Sequence, residues 1–168
     1  MTRQKLLNIY LADHLAGAAV GQELAKRCLS NNSGTELGTY LTSFLDELDE
    51  DRSTLERVID TVGGQPDRLK LGAAWLSEKA GRLKLNGQLR GYSDLSRVVE
   101  LEGLCIGVEG KAAMWASLRE VAENDSRLDG FDFNALESRA KQQREQLETH
   151  RRAAVGTAFQ GRDTPTGR

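Results

Sequence analysis

What most constrains this chain is where its long amphipathic runs begin and stop. Apolar residues recur at spacings of three and four over residues 6–30, 36–62, 94–123 and 134–159, the period of one helix face. Asn31-Asn32-Ser33-Gly34 separates the first two runs with turn and cap chemistry. A loop that short returns the second helix antiparallel to the first. The second run carries a seam of alternating four- and three-residue steps: Leu37, Leu41, Phe44, Leu48, Asp51, Leu55, Val58 and Val62. Gly63-Gly64 and Pro66 then stop it. The next run starts only near Asp94, where Ser93 or Asp94 can cap it. An interlude of that length is unusual between antiparallel neighbours and can carry the chain back along the bundle. The pattern predicts an all-α, up-down-down-up four-helix bundle over residues 1–159, its long crossover between helices 2 and 3 holding a short helix from Asp67 to Ala80. Asn134 with Glu137 forms a capping-box pattern for the fourth helix. Residues 160–168, polar with Gly and Pro, are expected to be a disordered tail.

Composition narrows the partners. A net charge of −2 lacks the dense basic face that nucleic acid or an anionic membrane surface would need. No apolar stretch reaches the length of a membrane span. Asp13 and His14 interrupt the apolar start too early for a signal peptide. Cys28 and Cys105 lack CxxC spacing and fall inside helical runs, which fits free core thiols in a reducing, cytoplasmic setting. The acidic run Asp46 to Asp51 reads as a solvated face except at Asp51, and Lys141-Gln142-Gln143-Arg144-Glu145 as another solvated face.

Glycine costs a helix interior about 1 kcal/mol relative to alanine, so its clusters need a reason. Gly17 and Gly21 in the first run, and Gly103 and Gly107 in the third, are each four apart. Close backbone packing would pair Gly17 with Gly107 and Gly21 with Gly103. That register, continued across the short loops, brings His14, Asp51, Glu109 and His150 towards one layer. Three of the four occupy seam slots: His14 between Leu11 and Ala18, Asp51 between Leu48 and Leu55, His150 between Leu147 and Ala154. Buried charges are costly unless compensated. Two readings follow: a carboxylate–histidine site for Fe, Mn or Zn, or a polar layer that only fixes packing. A third is a small-molecule pocket between helices, where the glycines leave room.

The arrangement resembles the ferritin-like superfamily, with two antiparallel helices, a long crossover and two more. Ser93-Asp94-Leu95-Ser96-Arg97, running into Glu100-Leu101-Glu102-Gly103-Leu104 and Glu109-Gly110-Lys111, looks like the opening of a third ferritin-like helix. Di-metal members place one Glu on each of two helices and Glu-x-x-His on the other two. The resemblance would make Glu109 the lone helix-3 ligand and Asp51, or Glu47 or Glu50, the helix-2 ligand, with His14 replacing the helix-1 Glu. No Glu-x-x-His occurs anywhere in the chain, which speaks against a di-iron oxidase. The expected function is a structural or stress-related interaction protein without catalysis, self-associating, a dimer first. The alternative is a metal-dependent oxidoreductase or metal-storage protein using His14, Asp51, Glu109 and His150.

Overall fold

A computed structural model describes residues 1–64 and 91–160, and all four long runs are helices in it: α1 Arg3–Asn31, α2 Glu36–Thr61, α3 Asp94–Ala122 and α4 Phe133–Gln160, with a short 3-10 turn at Ser126–Leu128 before α4. No strand occurs among the described residues. The expected short helix from Asp67 to Ala80 and the tail after Gln160 lie outside them.

Local chemistry sets the helix starts. Thr2 and Thr35 stand in extended backbone and accept, through their hydroxyls, from the amides of Lys5 and Gly38. Each satisfies an amide that the first helical turn leaves without a partner. Ser93 caps α3 and forms a reciprocal capping box with Ser96. The start of α4 differs from the expected Asn134–Glu137 box. Asp132 Oδ1 accepts from Ala135 N at 2.9 Å, because Phe133 is already helical and packs its ring 6.2 Å from Trp115. Glu137 is drawn instead to Arg119 and Lys141.

Polar side chains tie the helix ends together. At one end, Gln4 Nε2 donates to Val62 O at 2.7 Å, and Arg127 reaches both Val62 O and Gln4 Oε1. At the other, Arg27 pairs with buried Glu100 at 2.6 Å. There buried Asn32 donates to Tyr92 Oη at 2.9 Å and accepts from Arg97 Nε at 2.7 Å. The start of α3 therefore sits against the end of α1.

The core follows the seams. Leu37, Leu41, Phe44, Asp51, Leu55, Val58 and Val62 of the predicted α2 seam are buried, and Leu48 is half-buried. Leu101, Cys105, Val108, Ala112, Trp115 and Leu118 supply the α3 side, and Ala140, Leu147 and Ala154 the α4 side. Burial pushes the Cys28 thiol up to about 12, with the Glu100 charge adding to it, so this cysteine is an inert core residue. α1 buries a narrow set, chiefly Leu11, Ala16, Ala25 and Cys28, while Leu6 and Ile9 stay exposed. Its other face looks onto the cleft described next.

Candidate functional site: a polar layer flooring an apolar cavity

Midway along the bundle the seam of α2 presents Asp51, only 3% exposed. Both of its oxygens are used: Oδ2 accepts from Lys111 Nζ on α3 and Oδ1 from Arg139 on α4. Lys111 Nζ also donates to Gln143 Oε1 at 2.5 Å, and Gln143 Nε2 passes the network to Glu47 at 2.6 Å. Arg139 reaches Glu50 at 2.7 Å as well. Burial lowers the Lys111 pKa, and the adjacent Asp51 opposes that shift. A charged layer of the kind the seams imply is present, but with a different membership.

The structure does not gather the four residues that the register brought to one level. Asp51 alone is deeply buried. Glu109 is exposed, its side chain 74% accessible and only loosely facing Arg144 at 3.9 Å. The buried stripe of α3 runs through Val108 and Ala112, which turns Glu109 about 100° away from it. His150 is half-buried against Tyr40, ring centres 4.8 Å apart. His14 is half-buried edge-on to Tyr10 at 4.6 Å. No group of three or more His, Cys, Asp or Glu side chains that could hold a metal ion occurs among the described residues.

Sequence reasoning passed over Lys111, Arg139 and Gln143. Gln143 is 1% exposed, although its neighbourhood reads as a solvated face. The signal was available: Leu104, Val108, Lys111 and Trp115 are spaced four, three and four, as are Leu136, Ala140, Gln143 and Leu147.

The glycines do not mediate close packing. The contacts Leu24–Gly103, Arg27–Glu100 and Asn32–Arg97 set a register offset by about three residues, close to one turn, from a Gly17–Gly107 pairing. A Cβ built on Gly17, Gly21, Gly107 or Gly110 would meet no atom within 4 Å, and only Gly103 touches a neighbour, Leu24 Cδ2 at 2.9 Å. Between the two glycine faces lies a cavity of about 420 Å³. Phe44, Leu48 and Leu55 line it from α2, and Leu104, Val108, Met114 and Trp115 from α3. Ile106, 75% exposed, flanks it on α3. Asp51 and Lys111 belong to its lining, so the cavity reaches the polar layer; His14, Tyr10 and Asp13 line it from α1.

His14 makes no hydrogen bond to another described residue, and burial lowers its pKa from the ordinary 6.5, the Asp13 charge opposing in part. The charged groups sharing its cavity are Asp13 on α1, Asp51 and Arg52 on α2 and Lys111 on α3. A base with a depressed folded-state pKa favours the fold fully above 6.5. That contribution is lost as pH falls below 6.5 and through the folded-state value. The unfolding midpoint should therefore drop between about pH 7 and pH 5, and His14→Gln should flatten that part of the profile. A His14→Gln profile superimposable on the parent would contradict this.

No helix among the described residues is long and apolar enough to cross a membrane. No family model matches the chain, and neither a curated protein nor a solved structure matches it.

Proposed function

We propose that this chain is a small-molecule-binding helical bundle that takes a compact, largely apolar ligand between α1, α2 and α3. The observation that carries the reading is the cavity of about 420 Å³ walled by helix-interior glycines. Its size falls within the range of about 300–1,000 Å³ usual for ligand sites, and a mostly apolar wall with a few polar groups is their usual chemistry. Interiors are otherwise close-packed, and an apolar wall without facing atoms forfeits dispersion contacts. Helix-interior glycines add a further cost of about 1 kcal/mol each. A ligand seated in the cleft would recover those contacts. A purely structural role accounts for the Asp51–Lys111 layer but leaves the glycines unexplained.

In the same reading the bundle has the up-down-down-up order of a ferritin-like arrangement. The support is that α2 and α3 both begin beside the end of α1, around Asn32.

A solvatochromic apolar dye tests the proposal directly. The parent protein should bind it with micromolar affinity. Gly21→Leu combined with Gly107→Leu should weaken binding by about tenfold or more, without lowering the unfolding midpoint, because a Cβ at either position meets no atom within 4 Å. Equal dye binding by parent and double variant would remove the cavity as the site.

A further inference from the structure

Two N–H groups at the cavity floor have no acceptor among the described residues. An ammonium carries three N–H donors. Lys111 spends one on Asp51 and one on Gln143 and has no third partner among the described residues. Trp115, which also lines the cavity, is fully buried, and its indole Nε1–H has no hydrogen-bond partner among the described residues. Lys111 and Trp115 stand four residues apart on α3, hence on one face of the helix one turn apart. Asp51 is engaged by Lys111 and Arg139 and accepts nothing from the indole. A buried donor without an acceptor is costly, so what enters here is favoured by bringing an oxygen.

The charge of that oxygen is constrained too. The ionised lining balances, with Asp13 and Asp51 against Arg52 and Lys111. A carboxylate reaching the floor would lose its hydration and face Asp51 at close range, with the Lys111 charge already committed. We infer that the cavity selects an uncharged apolar molecule carrying a carbonyl oxygen, which accepts hydrogen bonds from Lys111 Nζ and Trp115 Nε1. This rests on the proposed small-molecule site and adds the ligand class to it.

Displacement of the bound dye by three molecules of one shape tests it: decalin, 2-decalone and decalin-2-carboxylate. The ketone should bind about tenfold tighter than the hydrocarbon, as expected for a hydrogen bond to a charged donor, and tighter than the carboxylate. Trp115→Phe keeps an aromatic ring and removes the N–H, so it should shrink the ketone's advantage over decalin while leaving decalin binding intact. Lys111→Met should do the same if it folds, and the Trp115 variant decides the matter if it does not. Decalin and 2-decalone binding equally to the parent would overturn the inference while leaving the cavity as a ligand site. A carboxylate that outcompetes the ketone would also overturn it. Failure of both the dye and all three molecules to bind would instead overturn the small-molecule reading itself.

Discussion

Asp51→Ala should cost about 3–5 kcal/mol of folding stability, measured by chemical denaturation, because it strips the partner from one buried ammonium and one partly buried guanidinium at once. The Lys111 side chain is only 13% exposed, so water cannot replace the lost carboxylate as it would on the surface. The size of the loss measures an uncompensated charge, not the worth of the pair. Replacing both partners, Asp51→Leu with Lys111→Met, should therefore recover most of the loss. Arg139 keeps Glu50 at 2.7 Å in that variant. A single Asp51→Ala change costing less than about 1 kcal/mol would mean that the layer is hydrated and not a buried network.

Asp51 also marks the boundary of what the sequence makes legible. Helix number and extent follow from periodicity, and so does the burial of an acid between Leu48 and Leu55, since a seam slot fixes which way a side chain faces. What the acid pairs with depends on the rotation and axial offset of its neighbours, and those are tertiary quantities. An offset of about one turn between α1 and α3 separates a carboxylate–histidine cluster from a carboxylate–lysine one. The two histidines illustrate this well. Each sits in a seam slot, yet each ends half-buried beside a tyrosine, His14 by Tyr10 and His150 by Tyr40, on different helices and without a shared partner. Glu109 fails for a more local reason: it stands one residue past Val108 in the buried stripe through Leu101, Leu104 and Val108, and one residue of phase reverses its exposure. The glycine pairs admitted either close backbone packing or a pocket, and spacing alone does not choose between them; the open space beside Gly17, Gly21 and Gly107 does.

Gly38 and Gly17 should respond to the same substitution with opposite signs. A Cβ on Gly38 would overlap the carbonyl oxygen of Asn32 and crowd Asn32 C at 3.1 Å and Ser33 Cα at 3.3 Å. All three are backbone atoms, which cannot swing aside as a side-chain tip can. That carbonyl also anchors the turn between α1 and α2, accepting from Thr35 N at 3.2 Å and Thr35 Oγ1 at 2.7 Å. Gly38→Ala should therefore cost about 1–3 kcal/mol, as overpacking does, despite the higher helix propensity of alanine. Gly17→Ala meets nothing within 4 Å and should gain up to about 1 kcal/mol from propensity. The consequence of Gly38→Ala should also travel, because Asn32 holds Tyr92 and Arg97 at the entry of α3. Hydrogen exchange should show the first turns of α3 opening more readily in that variant while the centre of α4 stays protected. Unchanged stability and unchanged exchange in Gly38→Ala would mean that the α1–α2 turn does not set the position of α3 against α1, and with it the width of the cleft.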